Sequence, residues 1–238
     1  MSGAWLVLPT YNEAENIGPL VRAALPALEA TGRPHRVLIV DDGSPDGTGQ
    51  RADRLAGEFE QVEVLHRPRK EGLGRAYLAG FAVALERGAD LVMEMDSDFS
   101  HDPNDIPRLI AASDAADLVL GSRYTPGGGI TDWGLIRRLL SRGGSAYARW
   151  LLGVPVRDLT GGFKCFNRRV LEGIDLTDVH ADGYGFQIEV TYRAIKAGFT
   201  VTEVPILFRE REVGSSKMTA RIALEAVWKV PALRLRLR

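Results

Sequence analysis

Met93–Glu94–Met95–Asp96–Ser97–Asp98 ends an apolar run, residues 91–95, with two aspartates one residue apart. Such a run reads as a buried strand. Side chains alternate along a strand, so this reading puts Asp96 and Asp98 on one side of its carboxyl end. Two carboxylates converging there with no basic residue beside them repel each other. A divalent cation bridging to a phosphate relieves that repulsion, because hard cations take oxygen ligands. D-x-D pairs are also common in ordinary loops, so the rest of the chain decides the meaning.

The flanking sequence repeats one pattern. Residues 5–8, stopped by Pro9, predict a first buried strand. Asn12 is the expected cap of a helix with Ile17, Leu20, Val21, Ala24, Leu25 and Leu28 at helical spacing, closed by Gly32. A second strand over 37–40 runs into the turn-forming stretch 41–48. A helix over 48–58, a strand over 62–65, a helix over 75–87, the strand 91–95, a helix over 105–112 and a strand over 118–120 follow. Gly127–Gly128–Gly129 reads as a mobile loop, 133–152 as a basic helical region and 163–167 as a strand. A helical turn over 168–173, a helix over 186–197, a last strand within 200–208 and a helical pattern from Thr219 to Pro231 complete the chain.

Alternating strands and helices call for an α/β fold, an open, mostly parallel sheet with helices on both faces. Ligands in such sheets sit outside the carboxyl ends of the strands. Here those ends carry Pro9 to Glu13, Asp41 and Asp42, Asp96 to Asp98, and Gly121 to Arg123. Four strand ends thus deliver polar groups to one rim.

Composition narrows the function. The 238 residues are 45% hydrophobic with a net charge of −1, which argues against a general nucleic-acid binder. A single cysteine, Cys165, excludes an internal disulfide framework and fits a reducing compartment. No signal peptide opens the chain and no uncharged apolar run reaches about 18 residues. Charge is uneven: residues 133–169 hold eight basic residues against Asp158, and 217–238 hold six against Glu225. Both stretches carry tryptophans, and they read either as solvated helix faces or as a surface for anionic lipid headgroups. Neither a G-x-G-x-x-G after the first strand nor a P-loop is present, so a nucleotide here would rely on a metal and on cations.

In order along the chain, Pro9–Thr10–Tyr11–Asn12–Glu13, Val40–Asp41–Asp42–Gly43–Ser44, Asp96–Ser97–Asp98 and Gly121–Ser122–Arg123–Tyr124 resemble family 2 glycosyltransferases of the GT-A fold. Asp158–Leu159–Thr160–Gly161–Gly162–Phe163, Gly185–Phe186–Gln187–Ile188–Glu189, Glu203–Val204–Pro205–Ile206 and Gly214–Ser215–Ser216–Lys217 extend the likeness. Within the family it is to the dolichol-phosphate (polyprenol-phosphate) mannosyltransferases. The resemblance implies a catalytic domain over 1–218, a basic amphipathic tail over 219–238, and these roles. Pro9, Tyr11, Glu13, Val40 and Asp42 hold the donor's nucleoside. Asp96, the backbone at Ser97, and Asp98 hold Mg2+ or Mn2+ and the diphosphate. Arg123 meets phosphate, while Arg211 and Lys217 close over the donor diphosphate or the acceptor phosphate. Ser100 stands where many relatives have glutamine, which leaves the third metal contact to water. The membrane-spanning region of many bacterial relatives has no counterpart here. A separate membrane-anchoring subunit, direct peripheral binding or a missing segment all fit that departure.

The implied reaction moves mannose from GDP-mannose to a polyprenyl or dolichyl phosphate, on the cytoplasmic face of the membrane. UDP-glucose is the alternative donor. The leaving nucleoside diphosphate develops negative charge, which the metal, Arg123, Arg211 and Lys217 would stabilise. The acceptor phosphate, with a second pKa of about 6, is already mostly dianionic and needs orientation more than a base. Direct attack predicts inversion. Arg137, Arg138, Arg142 and Ser141 are candidates for that phosphate, and Leu135, Ile136, Leu139 and Leu140 for lipid or core contact. Gln187 and Glu189 read either as sugar contacts or as helix-cap residues, Asp158 and Thr160 as pocket lining, and His101 as structural or as a support behind the site residues. A catalytically silent nucleotide-sugar sensor is the competing class, disfavoured by the complete acidic and basic set. A polymerising transferase would carry a Q-x-x-R-W-like signature, which is absent.

Overall fold

Apolar strands with both faces covered set the frame. The computed structural model describes residues 3–131, 134–179, 181, 183–210 and 230–237. Seven strands form one sheet in the order β3-β2-β1-β4-β7-β5-β8. They are β1 (Ala4–Thr10), β2 (His35–Asp41), β3 (Val62–His66), β4 (Leu91–Glu94), β5 (Leu118–Ser122), β7 (Lys164–Asn167) and β8 (Val201–Pro205). All pairings are parallel except those of β7, which runs antiparallel between β4 and β5. β6 (Gly129–Ile130) pairs in parallel with β9 (Leu207–Phe208), so the glycine stretch expected to be a mobile loop is partly a strand.

The helices are α1 (Ile17–Glu29), α2 (Thr48–Glu58), α3 (Leu73–Glu86), α4 (Ile106–Ala112), α5 (Leu135–Leu152), α6 (Arg168–Gly173) and α7 (Tyr184–Lys196). Strand alternation sorts them into two layers. Trp5, Val7, Leu38 and Val40 pack with Tyr77 and Phe81 of α3, Leu152 of α5, Val170 of α6 and Ile188 of α7. Leu6, Leu8, Ile39 and Met93 pack on the other face with α1, α2 and α4. Each of those four is fully covered and contributes roughly 1.5–3 kcal/mol by leaving water. Gly80 lets α3 lie close on the sheet, since a Cβ there would sit 2.4 Å from Val7 Cγ1. Residues 230–236 are helical, and Val230 and Leu233 are buried against the α3 side of the core. That part of the expected tail is therefore packed onto the domain.

Three local expectations change. Asn12 does not cap α1; it lies in the 11–16 loop at φ 59°, its N–H donating to Ser44 Oγ at 3.1 Å, and Asn16 precedes the helix. Pro9 does not stop β1, which pairs on to Thr10. The ladder with β4 has already ended at Val7 and Glu94, so a missing N–H costs nothing there. β4 itself ends at Glu94, so Asp96 and Asp98 lie in a loop and strand alternation does not fix their directions.

Candidate active site

The common direction of β1, β2, β4 and β5 puts their carboxyl ends on one rim, as the repeat requires. The antiparallel β7 adds what the repeat does not contain. Lys164, its first residue, is level with Glu94 and Leu120, so the loop leading into β7, Asp158 to Phe163, also arrives at this rim.

The Asp96–Ser97–Asp98 loop is fixed from several sides. Ser97 Oγ donates to the Pro9 carbonyl at 2.9 Å, tying the loop to β1. Asp98 is buried, and its Oδ1 accepts the Ser100 N–H at 3.0 Å. Between them Phe99 has φ 61°, a conformation uncommon for a bulky residue and typical of functional turns. Asp96 keeps 28% of its side chain exposed and accepts a hydrogen bond from Tyr77 Oη at 3.3 Å. Burial, and then the Asp96 charge, push the Tyr77 phenol well above its ordinary pKa, so it stays a proton donor.

Beneath the loop His101 is buried between the rings of Phe163 and Phe208, neither nitrogen hydrogen-bonded. Burial, with Arg123 acting the same way against Asp98, brings its pKa down to about 4. The ring is neutral at pH 7, so its approach to Asp96, 3.8 Å, is not an ion pair. The structural reading of this histidine fits.

Arg123 is a correction. Its side chain is buried and forks onto Asp158, with Nε to Oδ2 and Nη2 to Oδ1 both at 2.7 Å, and it also reaches Thr160 Oγ1. Burial opposes ionisation of Asp158, but the Arg123 guanidinium outweighs it and holds the carboxyl below its usual range. A guanidinium so committed ties β5 to the loop before β7, with Nε and Nη2 engaged by protein oxygens. Val40 is a second correction. Its side chain faces the core under Gly80, because alternate residues of β2 point to opposite faces.

The residues expected to hold a nucleoside gather around the first two strand ends. Tyr11 lies under Lys70, whose Nζ is 4.1 Å from the ring centroid. Glu13 accepts from Asn16 Nδ2 at 2.8 Å, and its N–H reaches Thr48 Oγ1 at 2.9 Å. Asp41, the last residue of β2, accepts from Ser44 in the turn that follows. Asp42 is buried against Arg67, which sequence reading missed. Burial raises the Asp42 pKa despite that cation. Arg67 shows no sequence signal because the loop after β3 has no recognisable pattern.

Also missed is a buried polar cluster behind Asp96. Lys164 Nζ lies 3.1 Å from Glu94 and donates to Gln187 Oε1 and, at 3.2 Å, to the Gln187 carbonyl. Burial pushes Lys164 down and Glu94 up. A charge inside an apolar strand run, as at Glu94, was the available signal. Glu189 faces away, in an ion-pair network with Arg193 and Arg236.

α5 carries Ser141, whose hydroxyl accepts from Tyr124 Oη at 2.7 Å. Arg138, Arg142 and Arg149 are exposed, as are Leu139, Leu140 and Trp150. The side chains of Leu135, Ile136 and Arg137 lie outside the described part of the helix, and Arg211 and Lys217 lie outside the described residues altogether. No helix among the described residues is long and apolar enough to cross a membrane.

Among the described residues no three His, Cys, Asp or Glu side chains are grouped to hold a metal ion. The fit of a divalent cation therefore rests on Asp96 and Asp98. Their hard oxygens suit Mg2+ or Mn2+, and Ser100 Oγ, buried without a partner beside them, is a further oxygen. The donor set fits, provided that phosphate or water completes it.

The chain belongs to glycosyl transferase family 2, whose model matches residues 5–175. It is 49% identical over 233 residues to a polyprenol monophosphomannose synthase of Mycolicibacterium smegmatis, covering 94% of this chain and 84% of that protein. An undecaprenyl-phosphate mannosyltransferase of Micrococcus luteus is 47% identical over 228 residues, covering 94% and 90%. Glucosyl-3-phosphoglycerate synthase of Mycobacterium tuberculosis, solved with phosphoglyceric acid, matches with a TM-score of 0.72 at 20% identity, covering 97% of this chain and 79% of that one. The same synthase solved with Mn2+, uridine diphosphate and glucosyl-3-phosphoglycerate matches at 0.70 and 20%, with the same coverage. At that identity the likeness establishes the α/β glycosyltransferase fold of GT-A type.

Proposed function

We propose that this family 2 glycosyltransferase moves mannose from GDP-mannose to a polyprenyl phosphate, with inversion at the anomeric carbon. The observation that carries the reading is the pair of relatives at 49% and 47% identity, both named for mannose transfer to a polyprenyl carrier. The rim geometry supports it. Tyr11, Glu13 and Asp42 follow the carboxyl ends of β1 and β2, and Asp96 and Asp98 follow that of β4, which neighbours β1 in the sheet.

Mg2+ or Mn2+ held by Asp96 and Asp98 would neutralise the donor diphosphate and its charge on leaving. Tyr77 and Ser97 orient that pair. Arg123, bound to Asp158, keeps the loop before β7 in place. Arg211 and Lys217 remain our proposed cations for the diphosphate or acceptor phosphate. Arg137, Arg138 and Arg142 with Ser141 form the acceptor side, where a dianionic phosphate needs only alignment for attack.

The exposed face of α5 would lie on the membrane. Leu139 and Trp150 are three turns apart on one stripe, among Arg138, Arg142 and Arg149, a composition suited to anionic headgroups over apolar tails. The protein would then act as a peripheral enzyme on the cytoplasmic face, alone or with a membrane-anchoring subunit. The deciding assay offers purified protein GDP-mannose or UDP-glucose with Mg2+ or Mn2+ and a short polyprenyl phosphate. Product from UDP-glucose alone would replace the donor. Full turnover by Asp98→Ala would remove the metal assignment.

A further inference from the structure

α5 carries two adjacent glycines at its middle, Gly143 and Gly144, and nothing around them calls for glycine. A Cβ on either would meet no atom within 4 Å, and neither has the left-handed backbone that favours this residue. Both are exposed. Glycine inside a helix lowers its stability relative to alanine, because the unfolded chain keeps more freedom. What a Gly-Gly-Ser step does supply is a place where a helix bends.

The two sides of that step are held very differently. After it, Ser145, Ala148 and Leu152 are buried, and Ser145 Oγ lies 3.3 Å from Thr160 Oγ1 in the loop before β7. Before it, Arg138, Leu139, Leu140 and Arg142 are exposed, and neither leucine joins the core. The start of the helix is weak as well. Gly134 offers no capping side chain, and the first turn holds no acid to offset the helix dipole. This half is tied to the domain by the Tyr124 hydroxyl, which donates to the half-buried Ser141 Oγ at 2.7 Å. Arg138, Ser141 and Arg142, three and four residues apart, share the side that this bond engages.

We infer that the first half of α5 is a hinged flap, swinging on Gly143 and Gly144 and latched by Tyr124 to Ser141. On the polyprenyl-phosphate reading, on which this rests, opening lets the long acceptor chain enter beside the rim. Closing brings Arg138, Ser141 and Arg142 back to the phosphate. Tyr124 is then a positioning residue: it sets the closed place of those three side chains without touching substrate.

The test stiffens the hinge and leaves the rim intact. In Gly143→Ala/Gly144→Ala the straight helix is favoured by about 20-fold, the propensity gap of two residues taken together. Thermal melts should therefore stay level or rise. With vesicles, kcat/KM for a long-chain polyprenyl phosphate should fall on the order of tenfold, following that shift in population. GDP-mannose binding with Mn2+ should be unchanged, and turnover of a short, water-soluble prenyl phosphate should be kept. Spin labels on Leu139→Cys and the exposed Glu86→Cys report the flap directly, Cys165 being buried. They should show two separations in the wild-type background, one in the alanine variant, and more of the longer one in Tyr124→Phe. A stable alanine variant with full long-chain turnover overturns the proposal, as does a single label separation in every background. A lower melting temperature overturns it too, since the glycines would then serve packing. A wild type that makes no product from any polyprenyl phosphate is a different failure, that of the acceptor reading, and the label separations then test the hinge alone.

Discussion

The Tyr77 hydroxyl, at the base of α3, donates to Asp96 Oδ1 at 3.3 Å from inside the core. Tyr77 is fully buried and its ring lies parallel to Phe186 of α7 at 5.8 Å. The carboxylate expected to hold a metal is thus aimed by a phenol that cannot move without disturbing two helices. Tyr77→Phe keeps the ring and removes the bond. Outer partners of this kind are worth about 10–100-fold in metal affinity. The metal concentration for half-maximal activity should rise about tenfold, with Mn2+ binding by spin resonance weakening in parallel and stability falling by about 1 kcal/mol. Unchanged Mn2+ affinity would leave Tyr77 a packing residue only.

Arg123 and Asp158 make a fully buried pair. Removing one partner strands the other charge, so Arg123→Met or Asp158→Leu alone should cost about 3–5 kcal/mol in urea unfolding. The double variant should recover most of it. If each single costs under 1 kcal/mol, the pair is not the strut described.

His101 sets a pH dependence. Its pKa of about 4 in the folded protein lies below the roughly 6.5 of an unfolded chain. Between those values the unfolded state binds a proton that the folded state refuses, so stability rises with pH across about 4 to 6.5 and levels off above. The gain is on the order of 3 kcal/mol. Unfolding of metal-free protein across this range should show the slope, and His101→Asn should flatten it. Asp158 acts only lower down: its depressed pKa gives stability that is complete above about pH 4 and lost below it.

Leu139→Glu and Trp150→Glu alter exposed side chains, so folding should be unaffected. Sedimentation with vesicles rich in anionic lipid should fall at least several-fold, and activity on a water-soluble short-chain acceptor should persist. Equal binding of wild type and variants would move the membrane contact off α5.

The order of elements, the parallel sheet and the rim carrying Tyr11, Asp42, Asp96 and Asp98 were legible in the sequence. Strands buried on both faces and helices with one apolar stripe leave local periods that need no knowledge of distant partners. The family membership was legible separately, through the resemblance of short motifs in a fixed order to a known family. What only the tertiary structure decided is which groups meet across the chain. The direction of β7, and with it the arrival of Asp158, Gly162 and Lys164 at the rim, comes from pairing with strands far away in sequence. Arg123 meets Asp158 at a separation of 35 residues, and Asp96 meets Tyr77 at 19. No periodicity records such pairs, so Arg123 read as a phosphate ligand until burial and Asp158 claimed it. The Asp96–Ser97–Asp98 stretch keeps its place at the centre, but its geometry comes from Tyr77, Pro9 and the Phe99 turn rather than from strand alternation.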